Sequence, residues 1–252
     1  MKLYIIRHGQ CEWNALHKVC GSTDSPLTEK GRAQAAETAA LDMVSIIGLP
    51  VALGDKLYNC AAVVSAGAVL GLVPKTNLNS AERRVFSMPP AELLVTDILG
   101  DGSFVQMGIK QLFVCSSLPA LRFAVEVGQD RNAATPPSMQ AVSAGAVIVC
   151  NPSATPETVG AEQSRVLTAA ARSASSLCGY ILAEAGEGES TTDYVFGGHH
   201  FICENGEVQY EPDKFAGPGV IIERIRSEAE LNGAKLGMID ARGGFDRIVV
   251  EM

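Results

Sequence analysis

The sequence predicts an α/β fold: two mixed β-sheets covered by helices, with a strand-loop-helix (βα) unit at the N-terminus. Three observations carry this. Short apolar segments rich in Val, Ile and Leu come in pairs joined by tight-turn residues, as in Val63-Val64-Ser65-Ala66-Gly67-Ala68-Val69. Ala-rich stretches with Glu and Arg spaced along them lie between the pairs and read as helices. The first strand, by contrast, runs directly into a polar loop and a helix.

Taken in order, Leu3 to Ile6 is a strand that ends in Arg7-His8-Gly9, and Thr28 caps a helix over Glu29 to Ala40. Val44 to Leu49 is the next strand, closed by Gly48-Leu49-Pro50. Leu57 to Val64 and Val69 to Val73 pair about Ser65-Ala66-Gly67-Ala68. Residues 76 to 103 read as loop, because Pro89-Pro90 and Gly100-Asp101-Gly102 break the pattern. Lys110 to Cys115, Leu121 to Val127 and Val147 to Cys150 are strands, with a helix over Ser138 to Ser143. A long helix covers Glu157 to Leu177, and a strand over Gly179 to Ala183 leads into the Gly-rich loop 186–192. Tyr194 to Cys203 and Val208 to Tyr210 flank Asn205-Gly206, the strongest short hairpin signal in the chain. Val220 to Ile225 extends that sheet. A helix over Glu228 to Met238 and a strand over Ile248 to Glu251 follow.

Composition narrows the function. With 20 Lys plus Arg against 28 Asp plus Glu, the net charge of -8 leaves no basic stripe for a nucleic acid. No apolar run reaches the length of a membrane span, and Met1 to Ile6 lacks the apolar core of a signal peptide. A cytoplasmic protein handling small molecules is expected. Seven cysteines, at 11, 20, 60, 115, 150, 178 and 203, form no CxxC pair, so buried reduced thiols are expected and neither a metal nor a cofactor is implied.

An imidazole at the C-terminal end of a strand, beside an arginine, suits phosphoryl chemistry. His8 would attack phosphorus and the Arg7 fork would neutralise phosphate charge. The run from Leu3 through Arg7-His8-Gly9 and Asn14 to Leu27-Thr28-Glu29-Lys30-Gly31-Arg32-Ala33-Gln34-Ala35 resembles the start of the histidine phosphatase (phosphoglycerate mutase-like) superfamily. That resemblance implies His8 as phosphohistidine nucleophile and Arg7 as phosphate clamp. It covers about residues 1–42. The second arginine, proton-donor carboxylate and second histidine of that family have no counterpart further on, since His199-His200 belong to another pattern.

From 43 to 225 a second pattern holds. Gly48-Leu49-Pro50, Gly71-Leu72-Val73-Pro74-Lys75-Thr76, Phe123-Ala124-Val125-Glu126-Val127, Pro136-Pro137-Ser138 and Gly188-Glu189-Ser190-Thr191-Thr192-Asp193 follow one another. Together they resemble the nitrilase-type (carbon–nitrogen hydrolase) glutaminase domain of glutamine-dependent NAD synthetases. The resemblance implies a nitrilase-like α-β-β-α sandwich, a glutamine-like amide substrate, and a Glu-Lys-Cys triad of base, oxyanion stabiliser and nucleophile. Lys75 matches the lysine, and Glu189 and Ser190 fall in a substrate-binding stretch. The family's Val-Glu-Ile-Cys-Glu-Asp reads Val125-Glu126-Val127-Gly128-Gln129-Asp130 here, so a glycine stands at the nucleophile position. The glutamate base would come from a Pro-Glu-Leu stretch upstream of Val44, which the phosphatase-like segment occupies. The family's acidic loop is reduced to Asn77 through Met88, with Glu82 as its remnant. Cys60, Cys115 and Cys150 lie in strand patterns that suit small core residues rather than a replacement nucleophile.

Three expectations follow: an amidase or glutaminase impaired at Gly128, a phosphotransfer enzyme acting through His8, or a non-catalytic chimeric α/β protein. No synthetase module is recognisable after residue 225, so complete NAD synthesis is not expected of this chain alone. Residues 226–252 match no recognised pattern. A homo-oligomer is expected only by analogy with relatives of the fold.

Overall fold

The structure, a computed structural model, describes residues 3–6, 43–97, 102, 104–186, 189–210 and 246–250. The expected helices at 29–40 and 228–238 and the strand at 220–225 lie outside these residues.

The described elements form two mixed sheets. In the first, β1 (Leu3–Ile6), β2 (Val44–Leu53), β3 (Lys56–Ser65), β4 (Ala68–Pro74), β5 (Leu94–Thr96) and β6 (Val105–Met107) take the order β1-β2-β3-β4-β6-β5. The second contains β7 (Gln111–Cys115), β8 (Arg122–Val125), β9 (Ile148–Ser153), β10 (Gly179–Glu184), β11 (His200–Glu204), β12 (Glu207–Tyr210) and β13 (Asp246–Val250). Its order is β12-β11-β10-β9-β8-β7-β13. Both described helices, α1 (Pro137–Ser143) and α2 (Ala161–Ser176), pack on this second sheet.

Period-2 alternation explains the sandwich. Val44, Ile46, Ala61, Val63 and Val73 of the first sheet meet Phe113, Phe123, Val125, Ile148 and Cys150 of the second in one buried core. On the opposite face of the second sheet, Leu112, Ala124, Val149, Tyr180 and Leu182 bury against α1 and α2 through Ala141, Val142 and Ala169. β1 joins the first sheet in parallel register, Leu3 opposite Val44 and Ile6 opposite Ile47. The N-terminal strand is therefore hydrogen-bonded into the same sheet as the segment that follows residue 43.

Several boundaries differ from expectation. β2 does not stop at Leu49 but continues through Pro50 to Leu53 and turns at Gly54-Asp55 into β3. Among the described residues its register with β1 ends at Ile47, and Pro50 lies beyond that paired stretch, opposite Asn59 of β3. The 76–103 region is not wholly irregular. It holds a 3-10 turn over Glu82–Arg84 and strand β5. α2 begins at Ala161 rather than Glu157, whose N–H instead donates to Val195 O (2.7 Å). The hairpin strand β11 starts only at His200.

Close packing between the sheets has a testable consequence at Gly71 of β4. A Cβ there would stand 2.2 Å from Gln111 Oε1 and 3.0 Å from Ile248 Cδ1. Gln111 cannot simply swing aside, because its Nε2 donates to Leu72 O (2.8 Å) and Gly108 O (3.2 Å). Gly71→Ala is expected to destabilise the fold by about 1–3 kcal/mol through overpacking, read as a lower urea midpoint with an unchanged m-value.

Candidate functional site

β4 ends at Pro74 and delivers Lys75 into the space between the sheets, where it is 6% exposed. Its N–H donates to Asn59 O (2.7 Å), extending the β3–β4 ladder by one bond. Its ammonium donates to the Glu82 carboxylate, an ion pair between two largely buried side chains. The turn that carries Glu82 is built locally. Asn79 Oδ1 accepts the N–H groups of Ala81 and Glu82, both at 2.9 Å, and Glu82 Oε2 accepts the Asn79 N–H (2.9 Å).

On the facing sheet, the chain leaves β8 through Glu126 and Val127 and turns sharply at Gly128. Gly128 has φ +56, in the left-handed region that glycine adopts most readily. It opens a 3-10 turn over Gly128–Asn132. The Gly128 carbonyl accepts from Asn151 Nδ2 and Arg131 Nη1, each at 3.1 Å, so the elbow is held from beneath. A Cβ on residue 128 would lie 3.5 Å from Lys75 Nζ, 3.7 Å from Lys75 Cε and 3.9 Å from Ser153 Oγ. Lys75 and Gly128 are therefore brought together, although residue 128 has no side chain with which to react.

Asp130 clamps the two halves. Its carboxylate accepts from Thr76 N (3.0 Å) and Asn77 N (2.6 Å), and Asn77 Nδ2 donates to Gln129 O (3.2 Å). Burial pushes the Asp130 pKa up, against the opposing pull of those two N–H groups and the Lys75 charge.

Behind the elbow, Arg131 is 2% exposed and donates to five acceptors. Nη1 reaches Gly128 O (3.1 Å), Asn151 Oδ1 (3.0 Å) and Ser153 Oγ (2.9 Å). Nη2 reaches Thr155 Oγ1 and Glu184 Oε1, both at 3.0 Å. Glu184 also accepts the Thr155 N–H (2.7 Å) and hydroxyl (3.0 Å).

Glu126, 1% exposed, accepts from the Tyr180 hydroxyl and from Ser138 N (3.2 Å). Burial raises its pKa despite those donors. A carboxyl with a raised folded-state pKa contributes stability below its unfolded pKa and loses it as pH rises through the folded value. Glu126→Gln keeps an acceptor for Ser138 N and offers a donor to the Tyr180 oxygen, while removing the charge. Its stability relative to the parent, from urea curves between pH 4 and 8, is expected to improve steadily with pH. A parallel pair of curves would contradict this.

Glu189 and Ser190 stand in the loop between β10 and β11. Glu189 N donates to Gly186 O (3.0 Å), and Ser190 Oγ accepts the Phe196 N–H (3.0 Å), so that hydroxyl closes its own loop. Arg7 and His8 lie outside the described residues, as do Cys11 and Cys20. The other five cysteines are free and buried. Burial pushes the Cys60 and Cys178 thiols to about 12 and raises Cys150 further, which suppresses their thiolates. Among the described residues no cluster of three or more His, Cys, Asp or Glu is arranged to hold a metal. Nor is any helix there long and apolar enough to cross a membrane.

The fold is that of the nitrilase superfamily. An amidase of that superfamily from Nesterenkonia, determined as a mutant, superposes with a TM-score of 0.54 at 14% identity, over 83% of this chain and 72% of that one. More particularly, the glutamine-dependent NAD(+) synthetase of Cytophaga hutchinsonii gives a TM-score of 0.58 at 24% identity, over 75% of this chain and 31% of that one. In sequence, the chain is 37% identical over 207 residues to the glutamine-dependent NAD(+) synthetase of Mycobacterium bovis, covering 77% of this chain. It spans 30% of that relative's length. Residues 3–42 match a different family, the histidine phosphatase superfamily (branch 1). Two resemblances thus meet in one chain, near residue 42.

Lys75 and the glycine at position 128 are legible in the sequence, whereas the groups that hold them are not. Glu82 was legible only as a leftover acid in a shortened loop. Nothing local marks Arg131 and Glu184 as partners, since 53 residues separate them.

Proposed function

We propose that this chain is a carbon–nitrogen hydrolase-type domain that holds a glutamine-like amide at Lys75 and Gly128 and is catalytically impaired. One observation carries the reading: Lys75 Nζ lies 3.5 Å from the point where a nucleophilic side chain on residue 128 would begin, and residue 128 is glycine. The Lys75 ammonium can donate to an amide oxygen and stabilise negative charge there. Covalent attack needs a nucleophile, and position 128 supplies none. In this reading Glu189 and Ser190 contribute to substrate binding, and no metal or cofactor takes part. Its partners are small amides rather than nucleic acids or membranes, with self-association following the habit of the fold.

Ammonia release from L-glutamine is expected to stay at the buffer background. Turnover that is abolished by thiol alkylation would overturn the proposal. The match of residues 3–42 to the histidine phosphatase superfamily favours a second reading, phosphotransfer through His8 with Arg7 as phosphate clamp. Hydrolysis of a phosphate monoester that is lost in His8→Ala supports it. Absence of both activities and of amide binding leaves a non-catalytic α/β protein joined from two families.

A further inference from the structure

We infer that Ser153 is a specificity-determining residue that selects a primary carboxamide over the matching carboxylate by acting as a fixed hydrogen-bond acceptor. The inference rests on the proposed amide-holding role of the site and goes beyond it by naming the group that reads the ligand's N–H.

The polarity of Ser153 follows from a chain of hydrogen bonds. Glu184, ion-paired to Arg131 and 2% exposed, is a carboxylate and can only accept. The Thr155 hydroxyl lies 3.0 Å from Glu184 Oε1, so its single proton is committed there. Thr155 Oγ1 in turn accepts from Arg131 Nη2 (3.0 Å) and stands 3.0 Å from Ser153 Oγ. With the threonine proton committed, the proton in the Ser153–Thr155 bond must come from Ser153. Ser153 Oγ also accepts from Arg131 Nη1 (2.9 Å). Its proton and one lone pair are therefore used, and one lone pair remains.

That oxygen lies 3.9 Å from the position a Cβ on residue 128 would take, and Lys75 Nζ lies 3.5 Å from the same point. One donor and one acceptor thus lie within 4 Å of the point where a side chain on residue 128 would begin. A primary carboxamide presents the complement, its C=O to Lys75 and its N–H to Ser153. A carboxylate offers Ser153 only a lone pair, and Ser153 has no proton left with which to meet it. Buried acceptors facing acceptors are unfavourable, so the network disfavours the acid even though Lys75 attracts it.

The test compares L-glutamine with L-glutamate, which differ only at this group, by titration calorimetry on the full chain and two variants. The parent is expected to bind glutamine more tightly. In Ser153→Ala the glutamine preference should fall by about tenfold, the scale of one buried hydrogen bond. In Thr155→Val the Ser153 proton is released to donate, so glutamate binding should strengthen relative to glutamine. A merely structural role for either hydroxyl would weaken both ligands alike. A preference in the parent that is unchanged in both variants overturns the inference and leaves the amide-holding reading intact. Binding of neither ligand to the parent overturns both. Thermal melts of the variants establish that folded protein is compared, and Thr155→Val decides the matter alone if Ser153→Ala does not fold.

Discussion

Gly128→Cys is expected to create a thiol that reacts with iodoacetamide at pH 7.5 about tenfold or more faster than any native buried cysteine. The backbone accepts the change at a modest cost. A non-glycine residue at φ +56 is strained by roughly 1–2 kcal/mol, and the added Cβ meets its nearest neighbours at ordinary contact distances of 3.5–3.9 Å. The sulfur would then stand beside the Lys75 ammonium, which favours the thiolate. Glu82 shares that charge, so the gain is smaller than an unpaired lysine would give. Cys60, Cys150 and Cys178 add little background, because burial holds them in the neutral form. Combining the change with Lys75→Met should slow labelling again, which separates the lysine's effect from simple exposure. Glutamine turnover is not expected to return with the thiol alone, since no glutamate base has been identified for it. Labelling no faster than in the parent would show that Lys75 and residue 128 do not share one site in solution.

Arg131→Met is expected to destabilise the protein by about 3–5 kcal/mol, the largest loss among single changes near the site. The side chain is buried and its ion pair with Glu184 leaves 3% and 2% of the two side chains exposed. Removing the guanidinium strands a carboxylate without its counter-charge and withdraws donors from Gly128 O, Asn151 Oδ1 and Ser153 Oγ. Replacing both partners is different. Arg131→Met with Glu184→Met leaves no buried charge, so the double variant should be less destabilised than the sum of the singles. Urea unfolding of the four proteins gives the coupling directly. Additive losses would mean that the two groups are independently solvated.

How far these features could be read from the sequence depends on the distance over which each is specified. The 68–74 strand and its hairpin with 56–65 follow from local alternation and turn residues, as does the Asn205-Gly206 hairpin. Lys75 and Gly128 stood out because each sits in a recognisable stretch next to a strand. The continuation of β2 through Pro50 was hidden, because a proline locally signals an end and only the pairing with β3, Pro50 opposite Asn59, carries the strand past it. β6 is three residues long and pairs with Leu72 at a single position, too short for any period to show.

The sequence by itself determined the α/β alternation, the change of family near residue 42 and the absence of any reactive side chain at 128. These are properties of residues and their immediate neighbours. Only the tertiary structure decided that Glu82 neutralises Lys75, that Asp130 ties Thr76 and Asn77 to the elbow from 54 and 53 residues away, and that Ser153 Oγ comes within 3.9 Å of the point where a side chain on residue 128 would begin. The reason is physical. A buried polar group must find its partner wherever packing of the two sheets brings one within hydrogen-bond reach, and no local pattern records which residue that will be.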